Sequence, residues 1–276
     1  MKKFTYIVVI MMQILPISAL CQTSVMSFNI RYDNPNDDLN WWGNRKLEIA
    51  KTINYYAPEI VGIQEGLDNQ VKYLDSALVD YNYTGVGRDD GKSKGEYAAI
   101  FYKKKKFKLL KTKTYWLSET PDSVSVGWDA SMERIATFGE FLDKIKGDTL
   151  SIFNCHFDHI GKLAQYKSAE LILKIIEEKR LEGSKVIVMG DLNCEPHEKP
   201  IKTLKTVMKD AYNISQSKPY GPIGTYNAFN LTNSTLKRID YIFVKNIQVL
   251  EYINIEDRRT NNMYLSDHLP ILIKIE

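Results

Sequence analysis

Cysteine is scarce in this chain, three residues in 276, and no Cys-x-x-Cys pair occurs. A thiolate zinc ribbon and a disulfide-stapled small domain are thereby excluded. Low-complexity tracts, repeats of solenoid period and any linker marked by a shift in composition are also missing, which leaves one large globular domain as the simplest count. Charge of one sign is missing too. The formal balance is only +3, so no global field draws the protein toward nucleic acid.

Residues 1–21 stand apart from the rest. Lys2 and Lys3 precede an apolar run from Tyr6 to Leu15, and Pro16, Ser18 and Ala19 then lead to Cys21. That is the layout of a secretory signal peptide, and the run is too short for a membrane span. Export to the periplasm or the medium is expected, with a mature catalytic domain over 22–276; a lipid-modified Cys21 is the alternative, opposed by the bulky Leu20. Losing Lys2 and Lys3 takes the formal charge from +3 to +1. Cys155 and Cys194 remain and are expected as free, half-buried thiols, with a disulfide between them the alternative in an oxidising compartment.

What is present is a series of β-rich apolar runs, each ending in a polar cluster. Val25–Ile30 reads as a strand, and a helix carrying Leu47, Ala50, Ile53 and Ala57 follows, ended by Pro58. Ile60–Ile63 is a buried strand that stops at Gln64-Glu65. This β-α-β unit makes the two strands parallel and sets Asn29 and Glu65 at one edge. A second helix carries Leu67, Val71, Leu74 and Leu78. Short strands then follow at Thr84–Gly87, Tyr97–Tyr102, Phe107–Leu117, Ile135–Asp143 and Thr149–Asn154. A helix over Lys162–Leu181 feeds the strand Val186–Met189, and strands at Ile239–Val244 and Leu269–Ile275 close the chain. Parallel units alternating with antiparallel hairpins predict an α/β fold of four layers, two mixed β-sheets packed face to face with helices outside.

The clusters suit phosphoester hydrolysis, which needs charge neutralisation, an aligned water and a route for protons. Glu65, aided by Asn29, offers the hard oxygen ligands that Mg²⁺ or Mn²⁺ prefers. His268 is the candidate base, with Asp240 fixing its tautomer. Asp191 and Asn193 flank Leu192 and fall on one side of an extended strand. His156 ends its own strand, with Asp158 and His159 close behind.

Asn29, Gln64-Glu65, Asn154-x-His156, Gly190-Asp191-Leu192-Asn193, Arg238-Ile239-Asp240-Tyr241 and Ser266-Asp267-His268 resemble, in order and spacing, the motifs of the endonuclease/exonuclease/phosphatase superfamily. The resemblance runs from Val25 to Ile275. It implies a deoxyribonuclease-I-like sandwich in which Asn29 and Glu65 hold the divalent ion with Asp267 beside it. It further implies that His156 binds the scissile phosphate, that Asp191 and Asn193 orient the nucleophile and stabilise the pentacoordinate state, and that Asp240 pairs with His268. The segment Gly127-Trp128-Asp129-Ala130 through Arg134 resembles a bacterial branch of the superfamily, which makes Arg134, with His159 nearby, a phosphate contact. The segment Asn154-Cys155-His156 stands where abasic-site endonucleases carry a Tyr, so the resemblance is closer to the branches that use His and turns away from DNA repair.

Two features bear on substrate. Lys103 to Lys106, with Lys108, Lys111 and Lys113, sit in a predicted hairpin with Phe107 and Leu109, and are expected as a solvated face in preference to a nucleic-acid groove. Trp41 and Trp42 either stack on a sugar or base or pin a loop, and Trp42 is counted with the substrate contacts. Glu96, in Gly95-Glu96-Tyr97, is expected to face the cleft, where a carboxylate prefers a hydroxyl-rich group to a second phosphate. The expectation is an exported phosphoesterase acting as a monomer on a phosphorylated small molecule or lipid headgroup, sugar- or inositol-like. A secreted endonuclease is the alternative, followed by an inactive binding module on the same scaffold.

Overall fold

The computed structural model describes residues 22–232 and 237–276; the expected leader, residues 1–21, lies outside the described residues. The chain opens with β1 (Thr23–Asn29), α1 (Trp42–Tyr56), β2 (Ile60–Gln64) and α2 (Asp68–Ala77). Five strands follow: β3 (Tyr81–Thr84), β4 (Ile100–Lys103), β5 (Phe107–Trp116), β6 (Ile135–Asp143) and β7 (Thr149–His156). Then come α3 (Lys162–Glu178), β8 (Lys185–Asp191), α4 (Lys199–Leu204), β9 (Lys209–Asp210) and α5 (Ala211–Ile214). The last strands are β10 (Asp240–Lys245), β11 (Val249–Asn254) and β12 (Ile271–Ile275).

Two six-stranded sheets result, ordered β11-β12-β1-β2-β4-β3 and β5-β6-β7-β8-β10-β9. Each contains one parallel pair, β1 with β2 and β7 with β8, and each of those pairs is joined through a helix. The mixed four-layer sandwich expected from the sequence is therefore the observed fold.

Side chains alternate with the period of two that a pleated strand imposes. Met26, Phe28, Val61 and Ile63 face outward and pack with Ile49, Ile53 and Leu74 of α1 and α2. Phe153, Val186, Val188 and Phe243 face outward on the other sheet and meet Ile172, Ile175 and Ile176 of α3. Between the sheets lie Val25, Ile60, Ile152, Ile187, Met189, Ile242 and Ile273. Each such side chain, fully buried, stabilises the fold by about 1.5–3 kcal/mol.

The structure departs from expectation in places. Leu47 is exposed; α1 buries Trp42, Ile49, Ala50 and Ile53, and Ala57 is its left-handed C-cap. The strand expected at Thr84–Gly87 lies three residues earlier, at β3, and the half-exposed, bulged edge strand β11 was not anticipated. Cys155 and Cys194 are free, as expected, but fully buried, and burial raises both thiols. Of the lysine-rich segment, Lys106 is buried against Gln22 O and Thr23 Oγ1, whereas Lys104, Lys105, Lys108, Lys111 and Lys113 are exposed. A charged edge of this kind discourages further strand pairing.

Gly190 shows how tightly one end of the sheet is built. Its φ of +135° is a conformation that other residues avoid, and a Cβ there would lie 1.9 Å from the Cys155 carbonyl oxygen. Replacing Gly190 by Ala is expected to cost about 3 kcal/mol or more and to lower Tm by roughly 6–12 °C. A thermal melt within about 2 °C of the native protein would contradict that packing.

Candidate functional site

The inter-sheet core turns polar at one end, and it does so in phase. Asn29 continues the inward series of Val25, Asn154 and His156 that of Leu150 and Ile152, and Asp191 that of Ile187 and Met189. Asp240 begins the inward series that continues as Ile242 and Val244. Register then brings these positions side by side: His156 pairs with Asp191, Asp191 with Asp240, and Asn29 with Gln64. Strand alternation thus supplies the direction of each side chain, and strand order supplies the neighbours.

Glu65 arrives differently. In an extended strand it would follow the outward phase of Val61 and Ile63, but its φ of +64° breaks that phase. The carboxylate then accepts from Asn29 Nδ2 at 3.0 Å and from the Tyr32 N–H at 3.1 Å. Arg31 and Asn193 are also left-handed, with φ of 58° and 48°. Such backbone outliers in non-glycine residues cost free energy and gather at functional sites.

Asn29 donates to Glu65 and, at 3.0 Å, to Asp191 Oδ2, while its own oxygen accepts the Arg31 N–H. Its amide hydrogens thus hold two carboxylates in place, and the oxygen expected to serve a metal ion accepts one backbone N–H. Gln64 and Asn154 form a buried amide bridge between the sheets at 2.6 Å beneath the site.

A cleft of about 740 Å³ opens over these residues, and its walls include Glu65, Asp191, Asn193, His156, Asp267 and His268. His268 Nδ1 donates to Asp240 Oδ2 at 2.8 Å, and its Nε2 lies 3.7 Å from Asp191 Oδ2. Burial pulls the imidazolium down, but Asp240 and Asp191 outweigh it and raise His268 well above its ordinary value. The two carboxylates thus favour the protonated form of the imidazole. Asp191 is raised by burial, an effect that Asp240 reinforces and His268 opposes.

His156 has the opposite character. Arg134 Nη1, which can only donate, sits 2.8 Å from His156 Nε2, so the ring proton is on Nδ1, which faces Glu96 Oε2 at 3.4 Å. Burial first, and Arg134 second, pull His156 down to about 3. The same guanidinium donates to His159 Nδ1 at 2.8 Å and approaches Asp158 at 3.4 Å. Asp158 is held below the carboxylate range, since the N–H groups of Gly161 and Ile160 and the Ser131 hydroxyl outweigh its burial.

Asp267 is buried beside Glu65. Burial pushes it up, His268 counteracts and Glu65 adds to the rise, leaving it at about 6. Glu65 and Asp267 both line the cleft and offer hard carboxylate oxygens of the kind that fits a divalent cation such as Mg²⁺, with Arg31 Nη1 3.8 Å from Asp267 Oδ2. A softer ion at Glu65, His156 and Asp191, whose ligand atoms lie within 4.8 Å of one another, would compete with Arg134 for His156 Nε2.

Of the expected substrate contacts, Arg134, His159 and Glu96 line the cleft, and Trp42 does not. Trp42 opens α1 and is buried with its ring edge-on to Tyr73, 5.9 Å between centroids. The first turn of an amphipathic helix claims it for the core. Trp41 instead bonds Asp33 through its indole N–H at 2.6 Å. Asn193 leaves the strand in a turn, its N–H on Asp191 Oδ1 at 2.9 Å, and still faces the cleft.

Several contributors were not recognised in the sequence. Thr225 Oγ1 accepts the Asp240 N–H at 3.1 Å, Tyr226 lays its ring 5.0 Å from that of His268, and the Asn227 amide holds the Ser266 carbonyl. Arg45, fully buried, donates to the carbonyls of Ile30 at 2.7 Å and Leu265 at 3.0 Å and so ties the two loops that carry Arg31 and Asp267. The alternation of Thr225 and Asn227 around Tyr226 was the available signal.

A family model described as "Endonuclease/Exonuclease/phosphatase family" matches residues 26–268. Among solved structures, an endonuclease/exonuclease/phosphatase from Bacteroides vulgatus is 40% identical, covers 92% of this chain and 98% of its own, and superposes with a TM-score of 0.88. A mannosyl-6-phosphatase of Bacteroides thetaiotaomicron is 37% identical over 92% of this chain and 99% of its own, with a TM-score of 0.87. An uncharacterized protein of Acanthamoeba polyphaga mimivirus is 28% identical over 85% of this chain and 92% of its own length.

Proposed function

The chain belongs to the endonuclease/exonuclease/phosphatase family, and from that premise we propose that it is an exported, Mg²⁺- or Mn²⁺-dependent phosphoesterase acting on a small phosphorylated substrate of sugar or inositol type. Endonuclease, exonuclease and phosphatase reactions are all hydrolyses of phosphoric esters, so the enzyme class follows from membership. The substrate is the proposal. The observation that carries it is the cleft, whose walls mix Glu65, Glu96, Glu195 and Glu198 with Arg31, Arg134, Lys162 and Lys237, where a polynucleotide track would present a continuous basic stripe. The lysines of β5 do not line it. Similarity to the mannosyl-6-phosphatase supports the same reading.

Glu65 and Asp267 would hold the cation, whose chemistry would be to neutralise phosphoryl charge and make a bound water more acidic. Asp191, a buried carboxylate with a raised proton affinity, accepts the proton of the attacking water. Asn29 and the Asn193 N–H fix its two oxygens, so it is oriented before substrate arrives. His268, kept cationic by Asp240, faces the phosphoryl group from beside Asp191 and stabilises its growing charge. Arg134 holds His156 and His159 in single tautomers at the phosphate end of the cleft.

The test is turnover by the purified protein with Mg²⁺. Expected is a kcat/KM for p-nitrophenyl phosphate and a hexose 6-phosphate at least about tenfold above that for bis(p-nitrophenyl) phosphate, a difference of roughly 1.4 kcal/mol in barrier. Faster cleavage of the diester or of plasmid DNA would restore the endonuclease alternative.

A further inference from the structure

We propose that Glu96, held from behind by Arg88, reads hydroxyl groups on the alcohol portion of the substrate and so sets a preference for polyhydroxylated monoesters; the inference rests on the phosphoesterase reading above. Glu96 lines the cleft, whereas Arg88 is buried and meets it with two parallel hydrogen bonds, Nη1 to Oε2 at 2.8 Å and Nη2 to Oε1 at 2.9 Å. A carboxylate offers about four acceptor positions, and the guanidinium fork uses only one on each oxygen. His156 Nδ1 stands 3.4 Å from Oε2. Acceptor capacity therefore remains on the cleft side, next to the phosphate end. Neutral hydroxyls can donate to it, whereas a second phosphate meets like charge.

The backbone is built to hold this pair still. Arg88 N–H bonds the Glu96 carbonyl at 3.1 Å and Asp89 N–H the Lys94 carbonyl at 3.0 Å, folding residues 87–97 back on themselves. Gly95 allows the reversal with a φ of +79°, where a Cβ would lie 2.1 Å from the Asp89 carboxylate. Trp116 Nε1 caps the Arg88 carbonyl at 2.8 Å. Tyr97 N–H bonds the carbonyl of Gly66 at 2.8 Å, so the loop that carries Glu96 is tied to the residue after Glu65. The spacing between the hydroxyl-reading carboxylate and the proposed cation ligand is thus set by backbone hydrogen bonds, which is the preorganisation that selective binding requires. Met132 places its sulfur 3.1 Å from Arg88 Nη2 and also lines the cleft, an apolar surface beside the polar one.

The experiment compares a hexose 6-phosphate with p-nitrophenyl phosphate, which has no hydroxyl on its leaving group, in the native enzyme, in Glu96→Gln and in the charge-neutral pair Arg88→Met with Glu96→Gln. Expected is that the native enzyme favours the hexose ester and that the ratio of the two kcat/KM values falls about 10–100-fold in Glu96→Gln, chiefly through KM for the hexose ester. The double variant, which leaves no buried unpaired guanidinium, is expected to show the same fall and serves if the single variant does not fold. A ratio within about threefold of native in the folded variant overturns the proposal. A native enzyme that hydrolyses p-nitrophenyl phosphate without favouring the hexose ester overturns this subsite alone; one that hydrolyses neither overturns the small-monoester reading as well.

Discussion

Asp191→Asn is expected to reduce kcat by about 10³-fold or more while leaving the protein folded. The exchange keeps an oxygen that accepts the Asn193 N–H, removes the proton acceptor and costs the hydrogen bond from the Asn29 amide to Oδ2. It also removes one of two carboxylates that face each other across β8 and β10, since Asp191 and Asp240 are direct cross-strand partners. Like charges so placed destabilise a sheet. Tm should therefore move by only a few degrees, about what 1 kcal/mol produces in a chain this size. His268→Ala should lose a comparable factor in kcat but behave differently toward pH. The native imidazolium, whose proton affinity is raised in the fold, adds stability that is complete below the unfolded value near 6.5 and fades as pH rises through the folded one. Without it, Asp191 and Asp240 stand uncompensated, and the variant should gain stability on acidification. Steady-state kinetics and melts from pH 5 to 8 measure both; turnover within about tenfold of native in Asp191→Asn would take that carboxylate out of the mechanism.

Removing the divalent cation is expected to abolish turnover, and Glu65→Ala should prevent its recovery at millimolar Mg²⁺. Asp267, pushed up to about 6 chiefly by burial, keeps a proton below that pH, and a cation has to displace it. Apparent Mg²⁺ affinity should thus fall by about tenfold per unit as pH drops below about 6 and level off above. Mg²⁺ should accordingly raise Tm more at pH 7.5 than at pH 5.5, because ligand stabilisation grows with occupancy. Calorimetric titration across that range decides it, and a dissociation constant indifferent to both pH and Glu65→Ala would place the cation elsewhere.

Much of the site could be read from strand phase. Asn29, His156, Asp191 and Asp240 each end or begin an apolar strand on the inward parity, so an alternating pattern was enough to aim them at a common rim. The parallel pair β1 and β2 was equally legible, because a helix between two short strands enforces it. The side chains of α1 were less so. Leu47 and Trp42 are both apolar, and which one the helix buries depends on how the helix is rotated against the sheet. Trp42 therefore went to the core and not to the substrate.

The sequence by itself determined the kind of elements, their order and the inward parity of the polar strand ends, because those follow from local periodicity and from short connections. Only the tertiary structure decided that Glu65 turns against its strand parity through a left-handed residue and that the Asn29 amide serves carboxylates. It also decided that one guanidinium locks two imidazoles and that Arg88 backs Glu96. These choices depend on which partners meet once separate loops close over a shared low-dielectric pocket, and no local pattern encodes that meeting.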